Sequence, residues 1–576
     1  MKQINIKNIK IKVYTVIFYL LCLLLLIIFS NRLLYTISLY DEVGNITLAY
    51  KVVLNQKPFV DIWEFHQVGA IFYVPFIYIF SLLKGNTEGL ILFLRISYLF
   101  INIIVAFIVT RITKNIVNKK LNFLIGLAIV TYAPFSLYYL WYDTAGVLFM
   151  LLGATFIILG NNVIGIKKDL YLFYAGICHA CMCYAYPSFI TVVILYVILL
   201  LIFDRGQKLI RKIIDLKGYI AGGLLIGSIV IFYLLINKDT VFFFNKSILA
   251  TNMSGRDYTI MSRVYGILWG SFVFFKNAVL PTIILLYIYA KSFSSKYKNT
   301  YKIIFLTGIS VVSYYTLRDK SSYAIFMHFF YLFLYTPLLY YFLNNKHKRI
   351  AKNLICYLWF PSIVSYFAVG FTALGGGAKS TFGVYTGSVC TIIIMAIIIQ
   401  EIISELQLNK TIKPILSNIC LISIIVTNIM LFYNTGFDGR SVSESTYKVE
   451  NGIFKGLYTK ESDSFYIELE ELVKRYVNDN DKTIFFTDSL QCGYLFTDLV
   501  PAEAHIWNNY IKNNDIVNEW ENQFLYFNQV TGLPSIIVCK VDYESEKPEK
   551  FKKLLEFNYR EEVRTDSIVI YKLNQS

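Results

Sequence analysis

Hydrophobic residues in this chain come in long blocks separated by short polar stretches, and the block lengths decide the first reading. Thirteen blocks have the length of membrane-crossing helices: 13–36, 90–111, 122–139, 144–160, 170–187, 189–203, 218–236, 266–290, 303–317, 322–342, 353–373, 383–402 and 413–433. A fourteenth, 68–83, is shorter and holds Pro75. Counting it as a span would carry the basic stretch 111–120, and every later basic loop, to the outer face. Laying it in the outer interface leaves Lys2, Lys7, Lys10 and Lys12 on the same side as the basic segments 208–217, 291–302 and 346–352, as the excess of Lys and Arg in cytoplasmic loops requires. The pattern therefore predicts a polytopic α-helical membrane protein with about 13 transmembrane helices and a cytoplasmic N-terminus. Its first outer loop, 37–89, would carry interfacial helices.

The pattern changes after residue 435. Phe465, Leu469, Leu472 and Tyr476 recur at helical spacing within 464–478, while 483–487, 535–539 and 567–571 are short runs rich in Ile, Val and Phe. A second helix is expected at 550–557. Two domains follow: a transmembrane catalytic body, 1–435, and a soluble extracytoplasmic α/β domain, 436–576.

Composition agrees and removes other classes. Of 576 residues, 56% are hydrophobic and 16% charged, against about a quarter charged in soluble proteins. That excludes a soluble multidomain enzyme, a disordered chain and a disulfide scaffold. The net charge of +16 divides into +24 for the first 435 residues and −8 for the rest. The positive charge belongs to loops between spans and does not indicate nucleic acid as a partner.

Acidic residues carry the chemical signal. The first 435 residues contain 14 carboxylates, and four of them, Asp41, Glu42, Asp61 and Glu64, fall within 24 residues directly after the first span. Asp143 opens the fourth span. Carboxylates at a membrane boundary beside apolar walls are candidates for base chemistry. The competing reading is that an outer loop needs solvated charge.

The stretch Tyr40-Asp41-Glu42, followed by Gln56-Lys57-Pro58-Phe59-Val60-Asp61-Ile62-Trp63-Glu64-Phe65-His66-Gln67-Val68-Gly69, resembles the first outer loop of the GT-C glycosyltransferases. It is most similar to the group containing protein O-mannosyltransferases and the lipid A aminoarabinose transferase. The resemblance implies an inverting transfer of a sugar from a polyprenyl-phosphate carrier to a lipid, glycan or protein acceptor of the cell envelope, at the outer face of the cytoplasmic membrane. By that resemblance Asp41 is the base, with Glu42 beside it, and Asp143 matches an acid at the start of the fourth span. Glu64 matches an acid that relatives place before a basic-Pro-Pro run, where this chain has His66-Gln67-Val68. His328 lies in a stretch similar to one that follows basic residues in relatives, here Arg318 and Lys320.

The chemistry needs a carboxylate near the acceptor hydroxyl and positive charge near the departing phosphate. Arg95, Lys276, Arg318, Lys320, His328 and His66 are the cations available for substrate, with Asp61 and Glu64 as further substrate-binding candidates. No cofactor is required; a divalent magnesium or manganese ion would be compatible with the acids. Two alternatives are a polysaccharide polymerase or O-antigen ligase, and a lipid-linked oligosaccharide flippase. Against the flippase, the acids sit in a loop and not at mid-membrane, and no internal repeat is visible.

Other motifs weigh less. Cys178, His179, Cys181 and Cys183 look metal-like but fall within a span. Cys492 and Cys539 could pair if the fold brings them together. Residues 375–380 end in Lys-Ser yet lack the glycines of a phosphate loop. Asn45-Ile46-Thr47 is a glycosylation sequon.

Overall fold

A computed structural model describes residues 6–38, 41–63, 67–133, 138–203, 214–237, 259–276, 279–316, 336–343, 346–372, 379–406, 412–434, 442–487, 490–504, 506, 516–543 and 547–574. The chain is mostly helical. The first nine helices are α1 (Ile6–Asn31), α2 (Asp41–Val53), α3 (Gln67–Ala70), α4 (Val74–Lys84), α5 (Leu90–Val109), α6 (Lys119–Val130), α7 (Tyr142–Gly160), α8 (Ile166–Ala185) and α9 (Ile190–Phe203). Among the described residues, eight helical runs are long and apolar enough to cross a membrane. They include Val13–Leu34, Leu90–Ile112, Tyr142–Gly160, Lys217–Ile236 and Phe382–Glu405. Shorter apolar helices, such as Pro187–Ile202, fill the bundle between them.

The observed helices depart from the expected spans at three places. The block 266–290 is two helices, Ile260–Phe275 and Val279–Ser294, and Lys276 caps the end of the first, exposed. Lys276 is thus not mid-span: a charge at a helix end reaches polar surroundings, whereas one at the centre of a span does not. Within the expected span 122–139, helix α6 ends at Val130. The run Gln67–Lys84, expected to be interfacial, is built from α3, a 3-10 turn and α4, with Pro75 in the first turn of α4. It is also among the runs long and apolar enough to cross.

Close backbone approach joins two helices of the bundle. A Cβ on Gly176 of α8 would lie 2.0 Å from the carbonyl oxygen of Tyr219, and one on Gly222 would lie 2.0 Å from that of Phe173. Two glycines facing each other let α8 and the helix Lys217–Ile236 touch along their backbones, the small-residue packing of membrane helices. His179 is locked nearby: its Nδ1 is 2.8 Å from the Tyr219 hydroxyl and its ring stacks on Tyr196 at 4.1 Å. Together with the burial of Cys178, this makes the 178–183 stretch part of the packing. The helix Tyr385–Glu405 runs through the centre, buried on every side from Tyr385 to Ile399, as an apolar helix without a polar face must be.

The C-terminal region is a five-stranded sheet in the order β4-β3-β5-β7-β6. Strand β3 (Thr483–Phe486) pairs parallel with β4 (Val500–Pro501) and β5 (Ile536–Lys540), and β7 (Ile568–Leu573) runs antiparallel to β5 and to β6 (Tyr559–Arg564). A hairpin, β1 (Tyr447–Lys448) with β2 (Tyr458–Thr459), precedes it. Period-two alternation sorts the side chains. Phe485, Ile537, Cys539, Val569 and Tyr571 face the helices Ile516–Tyr526 and Glu549–Asn558, through Trp520, Phe524, Phe551 and Leu555. Ile484, Phe486, Ile536, Val538, Ile568 and Ile570 belong to the main core, which also contains Cys492 and Leu469 of the helix Ser464–Tyr476. Cys492 and Cys539 are therefore free thiols in two separate cores, and the alternation that separates them rules out their pairing.

This region is fastened to the loop between α1 and α5. Tyr35 bridges to Tyr458, and their rings stack at 5.1 Å. Tyr50 donates to Asp498 at 2.6 Å, Thr87 donates to the Leu495 carbonyl at 2.9 Å, and the Gly89 amide donates to the Gly452 carbonyl at 2.9 Å. Lys51, fully buried, donates to the Glu503 carbonyl at 2.6 Å. Helix α2 thus lies with membrane helices on one side and the sheet region on the other.

Candidate active site

The site begins at the opening turn of α2. Asp41 and Glu42 occupy that turn, where carboxylates complement the positive end of the helix. Consecutive helical residues diverge by about 100°, so the two acids meet different surroundings. Glu42 points inward and is 1% exposed. Arg95 of α5 grips it bidentately, Nε to Oε1 at 2.7 Å and Nη2 to Oε2 at 2.5 Å. The remaining guanidinium hydrogens go to the carbonyls of Leu33 at 2.8 Å and Thr36 at 2.9 Å. Asp41 is half-buried, and its backbone carbonyl accepts from Asn45 at 2.7 Å.

Arg32 reinforces the same turn. Its Nε donates to the Phe432 carbonyl at 3.0 Å and its Nη1 to the Tyr35 carbonyl at 2.8 Å. Two buried arginines therefore hold residues 33–36, where Thr36 adopts a left-handed φ of 67°, directly before α2. A buried ion pair survives only when its other hydrogen-bonding capacity is filled, and here backbone carbonyls fill it.

Asp143 lies on the same side of the bundle. It sits in the first turn of α7, 2% exposed, where the Thr144 hydroxyl accepts from the Trp141 amide at 2.7 Å and so caps the helix start. Two connections tie this turn to the α1–α5 loop. The first is Gly69 of α3: a Cβ there would fall 2.0 Å from the Tyr142 Cβ and 2.6 Å from its Cα, so only glycine lets α3 lie against α7 at this point. The second runs through tyrosines. Tyr98, three residues after Arg95 on α5, lies beside the Thr144 side chain, while buried Tyr73 lies within electrostatic reach of Glu42, Arg95 and Tyr98. Tyr142 stacks on Tyr186 at 5.7 Å, and Asp143 lies within electrostatic reach of the Tyr186 hydroxyl.

Asp61 has another job. Its Oδ2 accepts from the Lys57 amide at 2.7 Å, closing a turn in which Phe59 has a φ of 66°. The Asp61 carbonyl accepts from Tyr526 at 2.6 Å, and the Phe59 amide donates to the Gln67 side chain at 2.7 Å. Burial, with the Asp61 charge nearby, pushes the Tyr526 hydroxyl far above its ordinary value. Gln56 donates to the Pro501 carbonyl at 3.1 Å, and Trp63 meets Tyr526 edge-on at 4.9 Å.

The structure therefore brings Glu42, Arg95 and the turn holding Asp143 together, with Asp41 at the half-open edge and Asp61 bracing the following loop. Lys276 lies exposed at the end of its own helix. Glu64, His66, Arg318, Lys320 and His328 lie outside the described residues, as do residues 375–378. Among the described residues, no three carboxylate, imidazole or thiol groups converge as a metal centre would require, and Glu42 is committed to Arg95. Asn45 of the sequon is fully buried, so its side chain is inaccessible to glycosylation. The sequence reading missed Arg32, Tyr73 and Tyr98. Arg32 had a signal, since a charge inside the block 13–36 demands a partner; tyrosines among 46 had none.

An early acid pair on a short helix, further helical segments before the next long helix, a multi-helix body and a C-terminal sheet region together make up a fold that solved structures share. The fold matches that of ArnT from Cupriavidus metallidurans in the apo state, with a TM-score of 0.53 at 11% identity over 98% of each chain. The same protein bound to undecaprenyl phosphate gives a TM-score of 0.46 at 11% identity over 97% of each chain. The Archaeoglobus fulgidus oligosaccharyltransferase in complex with zinc and sulfate gives 0.47 at 10% identity, over 90% of this chain and 68% of the other. No protein-family model matches the chain, and no curated protein sequence does.

Proposed function

We propose that this protein is a membrane glycosyltransferase that moves a sugar from a polyprenyl-phosphate carrier to an acceptor of the cell envelope. The observation that carries the reading is the arrangement at the start of α2. Glu42 is immobilised by Arg95, and the adjacent Asp41 is left half-buried at the edge of the site, within a fold that follows ArnT along the whole chain. Asp41 is the base. As the acceptor hydroxyl oxygen attacks the anomeric carbon, Asp41 takes its proton, the bond from that carbon to the phosphate oxygen breaks, and polyprenyl phosphate leaves. A single displacement inverts the anomeric centre.

Arg95 acts as a positioning residue: it neutralises Glu42 and fixes the helix that carries Asp41. Asp143 completes the acidic side of the site. Positive charge for the departing phosphate is assigned to Arg318, Lys320 and His328, with His66 and Lys276 as further contacts. The site faces outward, the N-terminus is cytoplasmic, and the sheet region of 436–576 covers the site as an extracytoplasmic domain. The excess of basic residues in the alternate loops supports this orientation.

The test is donor turnover by purified protein in lipid, offering polyprenyl-phosphate sugars and an envelope extract and following release of free polyprenyl phosphate. Release by the wild type and not by Asp41→Asn is expected. Equal release by both would discard Asp41 as the base, and absence of release from every donor by folded protein would favour a polymerase or a flippase.

A further inference from the structure

The end of the bundle away from α2 holds a second site. Helix α7 begins at Tyr142, beside Asp143, and ends at Gly160; its 19 residues span ~28 Å, about the thickness of a bilayer's hydrocarbon core. Just past its C-terminal end lies a cavity of ≈ 370 Å³. One side is polar and basic: Lys168 of α8, and Arg349 and Lys352 from the helix Lys348–Leu354, with Asp215 as the one carboxylate among the described lining residues. The other side is apolar, with Leu172, Leu200 and Tyr357. Arg349 is held in place by its hydrogen bond to the Asn161 carbonyl at 2.9 Å.

We infer that this cavity binds the phosphate headgroup of an anionic phospholipid, with Lys168, Arg349 and Lys352 on the phosphate and the acyl chains leaving along the apolar wall. Three cations against one carboxylate leave an excess of positive charge, the composition by which pockets between membrane helices take anionic headgroups. The volume suits a glycerophosphate headgroup and not the chains. The neighbouring helix surfaces explain where the chains go: Leu170 of α8, and Ile198 and Ile202 of α9, are 49%, 44% and 60% exposed. A free phosphate ion shares the chemistry of the headgroup but has no use for that wall. The inference does not depend on the proposed transferase activity, because the two sites lie at opposite ends of α7.

Native mass spectrometry of the full-length protein in detergent tests this, titrating phosphatidylglycerol, phosphatidylcholine and inorganic phosphate separately. Saturable binding of phosphatidylglycerol is expected, weakened at least about tenfold in Lys168→Gln/Lys352→Gln. The charge-preserving Lys168→Arg/Lys352→Arg should restore it, and Lys455→Gln, a surface change beside Glu88, should leave it unchanged. Thermal melting of each variant confirms that it is folded. Equal phosphatidylglycerol binding by wild type and the Gln double variant, or equal binding of phosphatidylcholine, overturns the site. Inorganic phosphate that binds as tightly as phosphatidylglycerol at the same residues overturns the lipid and leaves a soluble anion as the ligand.

Discussion

Helix α2 and the loop that follows it, 54–63, are neighbours in one short segment, yet they use their carboxylates in opposite ways. In α2, Glu42 is sealed from solvent and answered by a bidentate arginine. In the loop, Asp61 is half-buried and spends its carboxylate on its own backbone, at the Lys57 amide. Asp41, one residue before Glu42, is half-buried at the opening turn of the helix. A cluster of acids that reads as one feature is thus divided into an anchor, a turn brace and an acid at the edge of the site. Local geometry makes the division: a helix turns each residue about 100° from the last, whereas a tight turn folds a side chain back onto its own amides.

Four substitutions break or sharpen this contrast. The largest effect is expected for Asp41→Asn, which should lower turnover by ~10²–10⁴-fold while thermal unfolding in detergent stays at the wild-type midpoint. Loss of stability there would make Asp41 another anchor. Arg95→Met leaves the Glu42 carboxylate buried without its partner, at a cost of about 3–5 kcal/mol. Denaturation should show this, and Glu42→Leu/Arg95→Met should recover much of the stability. Recovery of full activity by that double variant would refute the positioning role of the pair.

Gly69→Ala tests whether the α2 region and Asp143 work as one unit. The new methyl meets the Tyr142 backbone, so α3 must move off α7 at about 1–3 kcal/mol. A shift of ~1 Å in a catalytic site can cost ~10²-fold in rate, so turnover should fall further than stability alone explains. Unchanged turnover would separate Asp143 from the site. The smallest effect is expected for Tyr526→Phe, which removes the hydroxyl that braces the Asp61 carbonyl and should cost about 1–2 kcal/mol. Thermal melting measures it, and a drop in turnover as large as that of Asp41→Asn would mean that Asp61 belongs to the chemistry.

Much of the membrane body was legible because length and apolarity are nearly sufficient there: a bilayer leaves a spanning chain few ways to satisfy its backbone other than a helix. The blocks at 90–111, 144–160 and 218–236 return as α5, α7 and the helix Lys217–Ile236. Three of the sheet's strands, β3, β5 and β7, were legible for a related reason, since 483–487, 535–539 and 567–571 alternate between two covered faces; the short β4 and the more exposed β6 were not. The end of a helix at Phe275 was not, because apolar residues flank Lys276 and Asn277 on both sides and the block reads as one long span. The run Gln67–Lys84 shows the same limit: it is apolar enough to cross, and its composition alone does not say whether it lies in the interface.

For the site, the sequence by itself determined that acids gather after the first long helix and that Asp143 opens another. Only the tertiary structure decided which acid is answered by what. Arg95 is 53 residues from Glu42, Phe432 is 400 from Arg32, and Tyr526 is 465 from Asp61. No local pattern encodes such pairings. They arise because helices that satisfy their own backbones must still satisfy the buried charges they carry, and the only partners within reach are those that packing supplies.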